Sequence, residues 1–244
     1  CLLSGCALAA PAARSGTRPV APDPVATGDG TRIWFRDRLD RGLIIVLPGA
    51  WGDFPASRGM VTGLIDADVA AAVEFYDWTA GHWLLSPVLL TYNVRALDRN
   101  RGKARALAAK IVAYRKQYPG RPVHLVGYSG GGAVAVLALE SLPEEHRVTS
   151  AVLLAPSLAF NYDLQPALQR TEQGIRNFYS PLDIPVMLVA GTAMGTSDGK
   201  HLPPAGAIGF HPSVDDGRLR QHGYDFAMLS HGHGGGHFGW IGRR

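Results

Sequence analysis

The stretch Val123–Gly132, which reads VHLVGYSGGG, decides the fold. It begins with a mostly apolar run, passes into a glycine-rich turn and is followed by an alanine- and leucine-rich stretch that extends to Leu142. This order predicts a strand, a sharp turn and a helix. A serine at the centre of such a turn sits in strained backbone, and small residues are needed two positions before and after it because strand and helix pass very close. Gly127 and Gly131 stand at those positions, so Ser129 is the predicted nucleophile.

This arrangement resembles the nucleophile turn of the α/β-hydrolase superfamily, and from Thr31 to Trp240 the chain resembles a serine esterase or lipase of that fold. The resemblance implies that nucleophile, acid and histidine follow one another in that order, so the acid and the histidine are expected downstream of Ser129. It implies no cofactor. The alternative is a glycine-rich turn whose serine takes no part in chemistry.

Composition favours one globular α/β domain over residues 31–244, preceded by an N-terminal segment at residues 1–30. The chain has 244 residues, of which 46% are hydrophobic and 18% charged, which is typical of a folded domain of ordinary size. The net charge is +4, and the basic residues form no dense block. Because nucleic-acid sites need clustered positive charge, no such partner is predicted.

Hydrophobic patterning predicts strands that alternate with helices. Strands are expected at Thr31–Arg36, Gly42–Leu47, Ala72–Trp78, Val123–Val126, Ala151–Ala155, Gly174–Tyr179 and Pro185–Ala190, helices at Val61–Ala72, Leu97–Tyr118 and Gly132–Leu142, and a loop at Gly191–Gly217. Alternation of this kind favours a mostly parallel sheet with right-handed crossovers. The predicted fold is therefore an α/β-hydrolase fold with a mostly parallel central sheet and helices on both faces.

The N-terminal segment predicts export. The segment Leu3–Cys6 reads LSGC and resembles the lipobox of a bacterial lipoprotein signal, which implies cleavage before Cys6 and lipidation of that residue. The alternative is an ordinary secretory signal cut within Ala7–Ala13. The alanine- and proline-rich stretch up to Gly30 suits an extended tether to the membrane. Because the two cysteines are Cys1 and Cys6, no disulfide or thiolate site is predicted in the domain.

A second turn, Pro48–Gly52 (PGAWG), follows the predicted strand at Gly42–Leu47. In many lipases the matching strand ends in His-Gly-x-x-Gly, so the resemblance puts Ala50 in the place of a backbone donor to the oxyanion, with Pro48 replacing the histidine. A backbone donor needs no particular side chain. Gly130, directly after the nucleophile, is the predicted second donor. The alternative is a tight turn without a role in chemistry.

The general base is expected in the glycine-rich segment His231–Trp240 (HGHGGGHFGW), because this fold carries its histidine late in the chain. His237 is the predicted base, since Phe238–Trp240 can pack and fix the loop and the GGHFG sequence resembles the end of related hydrolases. His233 is the second choice. Histidines at this spacing also permit a metal site, but a run so rich in glycine gives no fixed geometry, and no metal is predicted. An unstructured tail is the remaining alternative.

The acid that orients the base is expected at Asp183 or Asp198. Asp183 ends a short turn after the predicted strand Gly174–Tyr179, which would leave its carboxylate just beyond the carboxyl edge of the sheet, where active sites of open parallel sheets lie. If Pro185–Ala190 is the relevant strand instead, Asp198 takes the role, because the loop before it resembles the acid loop of many hydrolases. Asp183 is preferred, with three further candidates at Asp163, Asp215 and Asp225.

Together these features predict a serine hydrolase that cleaves small-molecule esters or lipids and is anchored to the membrane through a lipid. A peptidase or an acyltransferase would keep the same triad of side chains. A lipid-anchored binding module without catalytic activity is the alternative of a different class, because a fold does not by itself give a function.

Overall fold

The computed structural model describes residues 23–26, 31–81, 86–183, 187, 191–211 and 217–242, without the side chains of residues 86–88 and 231. Several predictions from the sequence lie outside these residues: lipidation at Cys6, the role of Asp215, and the strand at Pro185–Ala190 apart from Met187. Within the described part of the chain, no helix is both long enough and apolar enough to cross a membrane.

An eight-stranded sheet forms the centre of the molecule, in the order β1-β2-β4-β3-β5-β6-β7-β8. The strands are β1 (Val25–Ala26), β2 (Arg32–Trp34), β3 (Leu43–Leu47), β4 (Ala72–Phe75), β5 (Val123–Tyr128), β6 (Ser150–Leu154), β7 (Ile175–Tyr179) and β8 (Leu219–Gly223). Strand β2 pairs antiparallel with β1 and β4, and all the other pairs are parallel. The predicted mostly parallel sheet is confirmed.

Helices connect the strands. They are α1 (Gly59–Asp66), α2 (Ser86–Arg95), α3 (Leu97–Gln117), α4 (Gly130–Glu140), α5 (Gln165–Leu168), α6 (Gly191–Met194) and α7 (Ala205–Ile208), with short 3-10 helices at Arg36–Arg38, Pro55–Arg58, Phe226–His231 and His237–Trp240. The predicted helix at Leu97–Tyr118 is confirmed almost to the residue.

Two hydrophobic cores lie on opposite faces of the sheet. Successive side chains of a strand point to opposite faces, so Leu43, Ile45 and Leu47 of β3 join the core that contains residues of α3 and α4. Ile44 and Val46, in between, join the core that contains residues of α1. Strands buried on both faces are expected to be continuously apolar, which explains the unbroken LIIVL run of β3.

The structure corrects two of the predicted elements and adds a strand that was not predicted. The helix predicted at Val61–Ala72 ends at Asp66, because Asp68 takes a left-handed conformation (φ 47) and the amide of Val69 donates back to the Leu64 carbonyl, a common way of closing a helix. The region predicted as a loop at Gly191–Gly217 contains the short helices α6 and α7.

Strand β8 is the strand that was not predicted. Its sequence, LRQHG, has no run of apolar residues, and its side chains are exposed or half-buried. Its position comes from backbone pairing with β7. An edge strand of this kind has no hydrophobic signature in the sequence.

Candidate active site

Ser129 lies on the turn between β5 and α4, in strained backbone. Its φ of 52° and ψ of −120° are unfavourable for a residue with a side chain. A Cβ atom added at Gly127 would come within 2.7 Å of the Gly131 carbonyl oxygen, and one added at Gly131 would come within 2.3 Å of the Pro48 carbonyl oxygen. The close approach of strand and helix therefore requires glycine at both positions, as the sequence indicated.

The side chains of Ser129, His237 and Asp183 lie together at the carboxyl edge of the parallel strands. The Nε2 atom of His237 is 3.1 Å from Ser129 Oγ, and its Nδ1 atom is 2.6 Å from Asp183 Oδ2. The three residues are far apart in the sequence, so the fold alone brings them into contact. The arrangement can pass a proton from the serine hydroxyl to an imidazole that a carboxylate holds in place.

Asp183 is held by the turn that follows β7. The amide of Asp183 donates to the Ser180 carbonyl at 3.1 Å, and the amide of Leu182 donates to Ser180 Oγ at 3.2 Å. The side chain is buried, and its Oδ1 atom accepts no hydrogen bond from any residue the structure describes. Among the described residues, the imidazole of His237 is thus the hydrogen-bond partner of this carboxylate, through Oδ2.

His237 begins the 3-10 helix His237–Trp240 and packs against Tyr128. The two ring centroids are 4.9 Å apart, and the Tyr128 hydroxyl donates to the His237 carbonyl at 3.3 Å. Burial, and next the charge of Asp183, raises the pKa of Tyr128 well above its usual value, so the hydroxyl stays protonated and remains a donor. Sequence analysis missed this contact, although Tyr128 directly precedes the nucleophile.

Ala50 and Gly130, the two predicted backbone donors, are neighbours in space. A Cβ atom added at Gly130 would be 3.6 Å from Ala50 Cβ. Among the described residues, neither backbone amide donates a hydrogen bond. Within the described part of the chain, neither N–H group therefore has a hydrogen-bond acceptor of its own, and their role as oxyanion donors stays a prediction.

Comparison with known proteins identifies the family. A family model described as "alpha/beta hydrolase fold" matches residues 6–201, well over half of the chain. The chain belongs to the α/β-hydrolase fold family. The matched range ends before His237, so the contact of His237 with Ser129 is an observation independent of that match.

Comparison with solved structures finds proteins that are similar to this chain. The dienelactone hydrolase of Anabaena variabilis ATCC 29413 is 14% identical, with a TM-score of 0.50 over 91% of this chain and 89% of that chain. A dienelactone hydrolase-like promiscuous phosphotriesterase from metagenomic libraries is 17% identical, with a TM-score of 0.46 over 88% of this chain and 89% of that chain. No curated protein sequence matches the chain. At such identities a structural likeness shows the fold and not the activity.

The second-choice histidine of the hydrolase, His233, has other partners. Its Nδ1 atom accepts from the Gly235 amide at 2.9 Å, and its ring packs edge-on against Trp240 with 4.0 Å between centroids. Burial lowers the pKa of His233, which favours its neutral form. His233 therefore packs within the tail segment and makes no hydrogen bond to Ser129 or Asp183.

The alternative acid, Asp198, also has local partners. Its Oδ1 atom accepts from the Ala159 amide at 3.0 Å and from Thr196 Oγ1 at 2.6 Å. Asp163 and Asp225 likewise accept from amides two residues further on, those of Gln165 and Ala227. The contacts between residues two positions apart are turn-forming contacts that aspartate commonly makes, whereas Ala159 lies 39 residues from Asp198. None of the three aspartates hydrogen-bonds to His237.

A cavity of about 90 Å³ lies beside Ser129, with His237 and Ala50 in its wall. Its apolar lining comes mainly from α2, α6 and nearby loops: Leu90, Val94, Met187, Met194 and Pro204. A larger cavity of about 410 Å³ lies next to α3 and α4 and touches none of the three clustered residues. Across the described segments of the chain, no group of three or more His, Cys, Asp or Glu side chains is arranged to hold a metal ion.

Proposed function

We propose that this protein is a serine hydrolase that cleaves carboxylic esters through an acyl-enzyme on Ser129. The observation that carries the proposal is the continuous contact from Ser129 Oγ to His237 Nε2 at 3.1 Å and from His237 Nδ1 to Asp183 Oδ2 at 2.6 Å. The strained turn beneath Ser129 supports the same role, because strain in a non-glycine residue concentrates at functional sites.

In the proposed acylation step, Ser129 Oγ attacks the ester carbonyl carbon while His237 Nε2 takes the hydroxyl proton. Asp183 accepts the Nδ1–H of the ring, which keeps the imidazole in the useful tautomer and stabilises its positive charge. The carbonyl oxygen becomes an oxyanion, which the amides of Ala50 and Gly130 would bind. When the carbon–oxygen ester bond breaks, His237 returns the proton to the leaving alcohol.

Deacylation repeats these steps with water. His237 takes a proton from the water molecule, the resulting hydroxide attacks the acyl carbon, and the proton passes to Ser129 Oγ as the acid leaves. A peptidase or an acyltransferase would use the same residues, with an amide as the substrate or an alcohol as the acceptor. Assays with an anilide substrate and with added alcohol distinguish these outcomes.

The apolar cavity beside Ser129 supports a short acyl group as the substrate. At about 90 Å³ it has room for on the order of six to nine water-sized groups. Its apolar lining stabilises a hydrocarbon chain through burial. Turnover of nitrophenyl esters is therefore expected to be higher for short acyl chains than for long ones.

The test compares Ser129→Ala with Ser150→Ala, a substitution of another serine that hydrogen-bonds to a histidine. Ser129→Ala is expected to abolish fluorophosphonate labelling and to lower ester turnover by roughly four to six orders of magnitude, as loss of a nucleophile does. Ser150→Ala should keep both. Labelling that survives Ser129→Ala contradicts the proposal, and a wild-type protein without labelling or turnover favours a binding module instead.

Export as a lipoprotein is part of the proposal and is supported by the LSGC sequence that ends at Cys6. Mass spectrometry of the protein made in a bacterial host should find Cys6 acylated at the amino terminus of the mature chain. Cys6→Ser should release the protein from the membrane, while Cys1→Ser should not. A mature chain that starts at Pro11 or later contradicts lipidation.

A further inference from the structure

Three consecutive carbonyl oxygens of the turn after β3 each accept a hydrogen bond. The Pro48 oxygen accepts from Trp78 Nε1 at 2.7 Å, and the Gly49 oxygen accepts from the Gly52 amide at 2.9 Å. The Ala50 oxygen accepts from Asn93 Nδ2 at 2.9 Å. The outer two peptide planes are therefore held by side chains from elsewhere in the chain, and the middle one is held by a hydrogen bond within the turn.

The middle peptide plane carries the N–H of Ala50, one of the two proposed oxyanion donors. In a trans peptide the N–H and C=O bonds point in opposite directions, so the bond from Gly52 to the Gly49 oxygen sets the direction of the Ala50 N–H. The bonds from Trp78 and Asn93 prevent the flanking planes from rotating with it. A short turn held at three points has little freedom to tilt its middle donor.

Trp78 also contacts the second proposed donor. Its indole ring is fully buried, and a Cβ atom added at Gly130 would come within 2.9 Å of Trp78 Cζ2. The backbone carbonyl of Trp78 accepts from Arg99 Nη2 at 2.7 Å, which ties the backbone of this residue to α3. One rigid side chain thus touches both backbone segments that would bind the oxyanion.

Asn93, on α2, is held as firmly as Trp78. Its side chain is buried, and its Oδ1 atom accepts from the Ala80 amide at 2.9 Å. Its backbone carbonyl accepts from Asn100 Nδ2 at 2.7 Å. Because Oδ1 is engaged by an N–H donor, the Nδ2 group must face the Ala50 carbonyl, and the amide cannot turn over without losing both bonds.

We infer that Trp78 and Asn93 are positioning residues that fix the Ala50 N–H in the direction of the oxyanion. This inference rests on the proposed function. Oxyanion donors act only when they lie 2.7–3.1 Å from the position of the charge that develops, and loss of one donor costs about 10²- to 10³-fold in kcat. A donor that is tilted and not lost should cost less, so each substitution is expected to lower kcat by roughly 10- to 100-fold. Because the ground-state ester makes little use of these donors, KM should stay within about threefold.

The test uses Trp78→Phe, which removes the indole N–H but keeps most of the packing, and Asn93→Leu, which removes the amide at similar volume. Matched controls are Trp34→Phe, at a buried tryptophan of β2, and Asn177→Leu, at a buried asparagine of β7 whose amide donates to Gln221 Oε1. For each variant, kcat and KM are measured with a short nitrophenyl ester, together with the Ki of a trifluoromethyl ketone and the melting temperature. Trifluoromethyl ketones form an oxyanion on the serine, so their Ki reports the oxyanion donors directly.

The inference is supported if kcat falls and Ki rises in parallel in both variants. The two control variants should keep the kcat and Ki of the wild type, even where their melting temperatures fall by a similar amount. A kcat and Ki within about threefold of the wild type in both variants, or a change in KM alone, overturns the inference. If Asn93→Leu does not fold, Trp78→Phe decides; if neither folds, both residues are structural and the inference is wrong. A wild-type protein without ester turnover or probe labelling contradicts the proposed function itself, which separates the two failures.

Discussion

Two serine–histidine hydrogen bonds lie at opposite ends of strand β5. At the carboxyl end, His237 Nε2 is 3.1 Å from Ser129 Oγ. At the amino end, His124 Nδ1 is 2.8 Å from Ser150 Oγ, across the parallel pairing of β5 with β6. By distance alone the second pair is as good a candidate for nucleophile and base as the first.

The surroundings of the two pairs differ in every other respect. Ser129 is strained at φ 52°, whereas Ser150 lies in a regular strand and is only 1% exposed. His237 also contacts the carboxylate of Asp183 at 2.6 Å, and His124 has no hydrogen bond to a carboxylate among the described residues. Ser129 borders the cavity of about 90 Å³, and Ser150 lines neither of the two cavities found among the described residues. A serine–histidine hydrogen bond is therefore weak evidence for a site; the acid, the free backbone donors and the room for a substrate carry the assignment.

The strongest test of this comparison replaces His237 and His124 by alanine in two separate variants. His237→Ala is expected to lower ester turnover by several orders of magnitude, because members of a triad act as a unit and the loss of one removes most of the effect. His124→Ala should retain turnover within about threefold, since a residue remote from the chemistry acts only through stability. Turnover is measured with a short nitrophenyl ester beside a melting curve for each variant.

His233→Ala serves as the control for the tail segment, since His233 packs against Trp240 without touching Ser129. The melting temperature of this variant should fall, while its turnover should change less. If His233→Ala loses activity while His237→Ala retains it, the role of base moves to His233. If His124→Ala loses activity as His237→Ala does, the distinction between the two ends of β5 is wrong.

A somewhat smaller effect is expected from the carboxylates. Asp183→Asn should lower kcat by roughly 10³- to 10⁴-fold, because the amide stabilises the wrong tautomer of the imidazole and cannot stabilise its positive charge. Asp198→Asn should leave kcat nearly unchanged and lower the melting temperature instead, since Asp198 accepts from the Ala159 amide and the Thr196 hydroxyl. Near-normal turnover in Asp183→Asn with a collapse in Asp198→Asn would reverse the assignment.

The smallest effect concerns the amino end of β5 and appears in stability alone. Burial, the largest cause, lowers the pKa of His124 from its usual 6.5, and Arg176 adds to the shift while Glu172 opposes it. Below pH 6.5 the unfolded chain therefore binds a proton that the folded chain binds only at lower pH. The stability associated with His124 is present above that pH and is lost as the pH falls through the folded pKa.

The measurement is the difference in melting temperature between about pH 7.5 and about pH 5.5 for the wild type and for His124→Gln, which cannot titrate. The wild type should lose a few degrees more than the variant over this interval. An equal loss in both would show that His124 does not take up a proton on unfolding in this interval.

Much of the fold followed from local sequence. Three patterns involve residues that are neighbours in the chain, so they can be interpreted without tertiary structure. They are the apolar run of β3, the helical spacing of α3 and the glycines around Ser129. Gly127 is the clearest example, because the contact that excludes a Cβ atom there lies within the same turn, whereas at Gly131 the excluding contact is with the distant Pro48 carbonyl. The strand β8 escaped prediction because backbone pairing at the sheet edge leaves no hydrophobic pattern.

Contacts between distant segments could not be obtained in this way. The roles inferred for Trp78 and Asn93 depend on hydrogen bonds to Pro48 and Ala50, and nothing near either residue in the sequence indicates such a partner. An ordinary buried tryptophan or a helical asparagine would have the same local sequence.

By itself the sequence determined that Ser129 would lie on a strained strand-to-helix turn of an α/β sheet, because strand, turn and helix are consecutive and their geometry is local. It left several aspartates, with Asp183 and Asp198 first among them, and two histidines open, since each stands on a turn or a glycine-rich segment with similar local chemistry. Only the tertiary structure brings Asp183 and His237 together. Asp198 instead accepts from the Thr196 hydroxyl and from the distant Ala159 amide, and His233 accepts from the Gly235 amide. The physical reason is that a hydrogen bond needs its two atoms within about 3 Å, and for residues far apart in the chain that distance is set by how the sheet and its loops pack.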